Sequence, residues 1–526
     1  MITRKTAFIP ALASVIFLLI ALVLLPYPGI QNDEAFFAGA IYSPDNTFYS
    51  AAILGHKIPW MVMSYSGALK SWIFAGLWGY LFDPNAWSLR LPMVAVGIGT
   101  LLLTWVFVRR LAGVRAAALT LALLATDTCF QLTNTFDWGP VALQHLLLMA
   151  GLVGIFAWIE TRRRWTLLLG AFCWGLGLWD KALLIWPLFA LGVATLAVYP
   201  KESWKHARQW IVVAALGMFL LGASPLIWYN FDKPGDTATA NVNFSLQSYQ
   251  AKLRELVTTT DGAALFDYMV RGNWATNPRK PIGLLEKTSV GITHLAGERR
   301  HNLMVWGFLL ALGVGLWRRT RLTVYLALVL TVTWLQMFLT KNTGGTAHHV
   351  ILLWPFPLVL IGIALVKLPS RISTGLVAVL VFFNLLTTNE YVAEFAQFGT
   401  TVNWTDAIYS LSDTVNAKTA SEIEILDWGY LNGLGLLHEG NLPLKVASEE
   451  LLKPVMSETD RETIRTMIES PRHLFIRHTA GNEIFVGIDK RLRDTAEGLG
   501  YREKPTRIVN DKNGRPIFEL FRFEKN

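Results

Sequence analysis

Asp33 and Glu34 stand side by side just beyond the first long apolar run of the chain, and Asp137 follows the third. Charge is otherwise kept out of the hydrophobic stretches. A carboxylate at a bilayer edge loses solvation and is retained where a pathway or a site uses it. The chemistry such groups offer is removal of a proton from a weak nucleophile, orientation of a substrate, or metal ligation. The plain alternative is a solvated loop: Glu34 then caps a helix, and Asp137, before Trp138-Gly139-Pro140, starts the next span.

The elements that must hold these groups are apolar. Hydrophobic residues make up 53% of the chain and charged residues 16%, against roughly 25% charged in soluble proteins. Apolar runs of about 20 residues recur, each able to cross a hydrocarbon core about 30 Å thick. The sequence predicts a polytopic α-helical membrane protein of about eleven spans. They lie near 7–26, 89–108, 116–134, 141–159, 166–179, 183–199, 210–228, 303–317, 322–340, 350–366 and 373–390.

Basic clusters fall at every second junction: Arg4-Lys5, Arg109-Arg110 with Arg115, Arg162 to Arg164, Lys201 with Lys205 and Arg208, Arg318-Arg319 with Arg321, and Lys367 with Arg371. Short cytoplasmic loops are enriched in Lys and Arg, so the N-terminus is expected inside and the C-terminal tail outside. The net charge of +9 is thereby explained by topology, and nucleic-acid binding is not implied. A cleaved signal peptide is the other reading of the first run, but Leu24-Leu25-Pro26 offers no small-residue cleavage site. Cys129 and Cys173 lie within expected spans and imply no disulfide framework.

Residues 1–390 are expected to form the membrane domain, with long outward loops at 27–88 and 229–302. Within the first loop, Trp60 to Leu81 reads as an amphipathic helix lying in the interface. Residues 391–526 change character. Strand-like runs at Glu422 to Leu426, Leu444 to Ala447, His473 to Ile476 and Ile517 to Phe521 alternate with helical patterns at Asp406 to Val415, Thr459 to Ile468 and Ile488 to Gly498. This predicts a C-terminal α/β extracytoplasmic domain. Gly429, Gly433 and Gly435 have the wrong spacing for a dinucleotide fingerprint.

Several motifs, in order, resemble the GT-C superfamily of membrane glycosyltransferases, in the branch with protein O-mannosyltransferases and lipid A aminoarabinose transferases. They are Asn32-Asp33-Glu34-Ala35-Phe36-Phe37, His56-Lys57-Ile58-Pro59, Trp87-Ser88-Leu89-Arg90-Leu91-Pro92, Thr135-Phe136-Asp137-Trp138-Gly139-Pro140 and Gly175 to Lys181. Pro225 to Asn230 and the run from His348-His349 to Pro355 complete the set. The resemblance covers roughly residues 7 to 365.

That resemblance implies transfer of a sugar from a polyprenyl-phosphate carrier to a protein, lipid or glycan acceptor outside the membrane, with inversion at the anomeric carbon. Asp33 is then the candidate general base, with Glu34 and Asp137 as orienting acids. Lys57 and Lys181, with Arg90 as a third, are candidates for the donor phosphate, whose leaving charge a held cation stabilises. As plain anchors, Lys181 would snorkel to the membrane surface and Lys57 would meet lipid headgroups. His56, His348 and His349 are candidates for substrate or metal contact. No cofactor is required, and a divalent metal stays open because no metal-motif spacing is present.

Two departures bear on the donor. Phe37 stands where the family usually has Tyr, and cannot donate a hydrogen bond. Phe36 stands where the aminoarabinose branch carries a basic residue, which argues against that sugar. A polyprenyl-linked saccharide transporter or flippase would show internal repeats and midplane helix breaks, and no repeated half is seen. An O-antigen ligase or polymerase would concentrate Arg and His in one late loop, whereas here the early acidic pair dominates.

Overall fold

The computed structural model describes residues 4–526 apart from 54, 208, 242, 273–277, 417 and 419. Arg208 of the third-loop basic cluster therefore lies outside the described residues. The chain runs through α1 (Arg4–Leu24), α2 (Asn32–Gly39), α3 (Leu69–Tyr80), α4 (Ala86–Leu124), α5 (Thr128–Thr135), α6 (Ala142–Thr161) and α7 (Arg164–Asp180). A second series of apolar helices follows from Ile185 to Phe398. At its centre every residue of Phe356–Leu365 is buried.

Five helices are long and apolar enough to cross a membrane, or eight if three sharply bent helix pairs each count as one span. Reaching the expected eleven requires α7, Met304–Trp317 and a division of α4 as well. α4 does break at Gly113 (φ 85°), between Arg109-Arg110 and Arg115, where the charge pattern places an inside turn. The expected span at 116–134 is interrupted. Its helix stops at Leu124 and restarts as α5, capped by Asp127, whose carboxylate accepts from Phe130 N at 2.9 Å.

α5 is polar yet entirely buried, because its side chains turn back on its own carbonyls. Thr133 Oγ1 donates to Cys129 O at 2.7 Å and Asn134 Nδ2 to Phe130 O at 2.8 Å. Gln131 Oε1, Asn134 Oδ1 and Thr135 Oγ1 remain without hydrogen bonds, and α5 delivers the chain to Asp137 inside the bundle.

The helix expected over Trp60 to Leu81 is a correction. β1 (Tyr49–Ile53), β2 (His56–Met63) and β3 (Ser66–Gly67) form an antiparallel sheet there, and only Leu69–Tyr80 is helical. The burial pattern of β2 alternates in its middle, the period of a strand with one covered face.

The C-terminal sheet has β4 (Glu422–Ile425), β5 (Leu444–Val446), β6 (His473–His478), β7 (Tyr501–Asn510) and β8 (Pro516–Lys525) in the order β5-β4-β6-β8-β7. The first three are mutually parallel and the last two antiparallel. β7, with seven of its ten residues exposed, was not anticipated. The connection after β4 docks on α2: Asn432 N donates to Asn32 Oδ1 at 3.1 Å, and Gly29 N donates to Trp404 O at 2.7 Å.

Candidate active site

α2 is started by Gln31, whose side-chain oxygen accepts from Asp33 N at 2.6 Å and Glu34 N at 3.0 Å. That cap satisfies two N–H groups the first turn would otherwise leave unmet. It also fixes which way the two acids point. Glu34 is buried and meets Arg90 in a bidentate pair, Nε–Oε1 2.9 Å and Nη2–Oε2 2.9 Å. Arg90 also donates to the carbonyls of Leu25, Pro28 and Gly29.

Arg90 is 0% exposed with its planar fork already engaged. Glu34 is its counter-ion, holding α2 against the start of α4. Asp33 is different. It is partly exposed, forms no ion pair among the described residues, and receives only a 3.4 Å contact from Asn32 Nδ2 at its carboxylate. Burial raises its carboxyl above the ordinary value, against the opposing effect of Asn32 and Gln31. Tyr65 and Tyr268 feel its charge: burial first, then Asp33, pushes both phenols up. Tyr268 comes from the second long loop, and its hydroxyl accepts from Gln31 Nε2 at 3.3 Å.

Asp137 closes a second cluster. Its Oδ1 accepts from Val141 N at 2.7 Å and Ala142 N at 3.1 Å, which starts α6. Its Oδ2 lies 3.0 Å from Lys70 Nζ, and both side chains are 1% exposed. The helix-start and ion-pair roles of Asp137 are thus combined. Lys70 also donates to the Asp137 carbonyl at 2.5 Å, and Lys181 Nζ donates to the Gly139 carbonyl at 2.5 Å. Two ammonium groups hold one five-residue turn. Lys181 makes no ion pair among the described residues, and burial pulls it down to about 8 despite the acids near it.

Lys181 is placed by β3. Ser66 bridges to Lys181, and Ala182 N donates to Tyr65 O at 2.8 Å. A Cβ on Gly67 would stand 2.3 Å from Trp179 O. Tyr65 therefore joins the two clusters, with its ring within the field of Asp33 and its carbonyl stitched beside Lys181.

The same turn presents its rings toward α2. The Arg90 guanidinium lies over the Phe136 ring at 4.7 Å, and Trp138 packs on Tyr268 and Trp404 at 5.5 Å each. His348 joins this aromatic group, 6.1 Å from Trp138 and against Gly139. His349 is buried and hydrogen-bonds Thr346 Oγ1 at 3.0 Å.

Lys57 and His56 fall elsewhere. They sit exposed at the tip of the β1–β2 hairpin, where Lys57 pairs with Asp45. Lys57 is 64% exposed and lies outside the buried cluster. His56, His348 and His349 do not gather with carboxylates into a metal-binding group among the described residues. Lys70 was missed by sequence reading. Its one signal was a lysine at the first turn of an otherwise apolar amphipathic helix.

Residues 67–229 match the family model described as Dolichyl-phosphate-mannose-protein mannosyltransferase. The whole chain superposes on ArnT from Cupriavidus metallidurans in the apo state, with TM-score 0.62, 13% identity and 98% of each chain covered. It also superposes on the same protein bound to undecaprenyl phosphate, with TM-score 0.60, 13% identity, and 99% of this chain and 98% of that one covered. The chain has the GT-C fold. The archaeal oligosaccharyltransferase AglB from Archaeoglobus fulgidus, in complex with an inhibitory peptide and a dolichol-phosphate, is similar at TM-score 0.48 and 10% identity over 99% of this chain and 74% of that one. No curated protein matches in sequence. The stretch matched by the family model contains Lys70, Asp137 and Lys181, while α2 with Asp33 precedes it.

Proposed function

We propose that this GT-C chain is an inverting glycosyltransferase that moves a sugar from a polyprenyl-phosphate carrier to an extracytoplasmic acceptor. One observation carries the reading: Glu34 is matched by Arg90 and Asp137 by Lys70, while the carboxylates of Asp33 and Asp180 and the ammonium of Lys181 form no ion pair among the described residues, and of the two carboxylates only Asp33 is partly exposed. An accessible carboxylate without a cation and shifted toward protonation is fitted to take a proton from an acceptor hydroxyl. A buried ammonium that forms no ion pair is fitted to receive a phosphate.

The sequence of events follows from that division. The carrier's phosphate meets Lys181, with Lys70 next to it on the same turn. The acceptor hydroxyl approaches Asp33, which removes its proton as the oxygen attacks the anomeric carbon from the face opposite the phosphate. The C1–O bond to phosphate breaks, and the leaving charge stays on the lysine side. Phe136, Trp138 and Trp404 are buried behind Tyr268, the partly exposed ring of the group against which a sugar ring can stack. The C-terminal domain and the residues 229–302 stand on the same outward side, the N-terminus lies in the cytoplasm, and a bacterial inner membrane is the expected location.

The test is incubation of the purified protein with radiolabelled polyprenyl-phosphate mannose, arabinose and related sugars, followed by identification of the labelled product. Transfer from one donor, lost in Asp33→Asn, supports the reading. Carrier movement across a vesicle membrane without sugar transfer would make the chain a transporter instead.

A further inference from the structure

Far along the chain from these groups, the C-terminal sheet buries a carboxylate whose one close partner is an imidazole. β4 reads Glu-Ile-Glu-Ile, so Glu422 and Glu424 share one face and Ile423 and Ile425 the other. Ile423 and Ile425 enter one apolar core, with Leu434 and Ile476. The neighbouring strand puts Phe475 opposite Glu424, and Phe475 belongs to a second apolar core with Ile464, Ile468 and Phe521. Glu424 therefore faces toward this second core, where a β-branched residue would normally stand, and Glu422 lies at the half-exposed start of the strand.

Glu424 is 0% exposed, and neither of its carboxylate oxygens has a hydrogen-bond partner. His473, opposite Glu422 in the register, is 11% exposed, and its Nδ1 lies 2.8 Å from Glu424 Oε1. That close approach is a charge contact rather than a hydrogen bond. His473 Nε2 stands 3.7 Å from Glu422 Oε2. Ligand atoms from the three residues lie within 4.8 Å of one another. Lys445, the register partner of Glu424 on β5, is exposed and forms no ion pair with it among the described residues. Glu450 adds a further buried carboxylate oxygen without a hydrogen bond, and its charge is felt by Glu424.

A buried carboxylate is retained when it is paired, hydrogen-bonded or bound to a metal, and here its one close partner is the His473 imidazole, itself a metal-ligating group. We propose that Glu422, Glu424 and His473 form a structural binding site for a first-row divalent cation of the zinc class. One imidazole and two carboxylates suit such an ion better than Mg²⁺ or Ca²⁺, which favour oxygen alone. Ligands bound at about 2.1 Å sit closer together than 4.8 Å, a gap that rotation of the 40%-exposed Glu422 side chain closes. The site lies where β4 and β6 begin, whereas the connection after β4 reaches α2. It ties the two central parallel strands together and does not bear on sugar transfer.

The experiment uses the full chain, stripped with chelator, equilibrated separately with ZnCl₂, MnCl₂ and MgCl₂, and desalted. Bound metal and thermal unfolding are then measured for wild type and Glu424→Gln, a neutral isostere that removes the buried charge. Wild type is expected to retain about one equivalent of Zn²⁺ more than the variant and to gain melting temperature from it. The variant gains none. Equal metal content and equal shifts in both proteins overturn the proposal, as does a wild type that retains no Zn²⁺. If Glu424→Gln is not recovered folded, His473→Gln is read against the same outcomes.

Discussion

Asp33 is held in a place where protonation is favoured and no neighbouring cation opposes it, which gives its chemistry a pH signature. A base must be ionised to act, so burial shifts the acidic limb of kcat/KM to higher pH than an ordinary carboxylate near 4 would give. Activity should rise with pH through that raised value. Asp33→Asn should lose about 10²- to 10⁴-fold in kcat together with that limb, while melting temperature changes little, since no buried partner is orphaned. Arg90→Ala should behave in the opposite way. It strands the Glu34 carboxylate inside the protein and should cost about 3–5 kcal/mol of stability, seen in thermal unfolding. Replacing both partners by Gln and Met should recover much of it. The acidic pair was legible in the sequence because carboxylates are rare beside spans, but the division of labour within it was not. Which of two adjacent acids is matched depends on Arg90, 56 residues away in the chain.

Lys181 is positioned by an element rather than by its own neighbours. The short strand β3 fits against Trp179 only because Gly67 has no side chain. Gly67→Ala places a carbon 2.3 Å from the Trp179 carbonyl, so β3 and the backbone at Lys181 must separate. The expected result is a transfer rate lowered at least as far as in Lys181→Met, about 10²- to 10³-fold for loss of one charge-stabilising donor. Hydrogen exchange at residues 65–67 and 181–182 should increase with it. The helix expected over Trp60 to Leu81 failed at this scale because aromatic and β-branched residues suit a half-covered strand as well as an interfacial helix. Lys70 went unremarked for a related reason. Its partner Asp137 stands 67 residues on, and nothing local to Leu69–Tyr80 reveals it.

The whole molecule joins a helical membrane body to a mixed sheet through several close contacts. Gly29 touches the segment that leads into the C-terminal domain so closely that a Cβ would meet Thr405 O at 1.9 Å. Gly29→Ala should therefore loosen the domain from α2, with faster hydrogen exchange across residues 31–39 and a fall in transfer larger than the fall in stability explains. Much of the architecture was legible, since apolar run lengths and basic loops are one-dimensional signals. The strand order β5-β4-β6-β8-β7 was not, because pairing of distant strands leaves little local trace. Lys57 shows the same limit: beside Pro59 it fits the motif, yet the hairpin carries it to an exposed tip. The most direct measurement is single-turnover transfer from a polyprenyl-phosphate sugar by wild type, Asp33→Asn and Lys181→Met at matched folded concentration. Labelled product of inverted configuration from wild type, with both variants slowed at least about 10²-fold, is the predicted result. Unchanged rates in both variants, or retained configuration in the product, would contradict it.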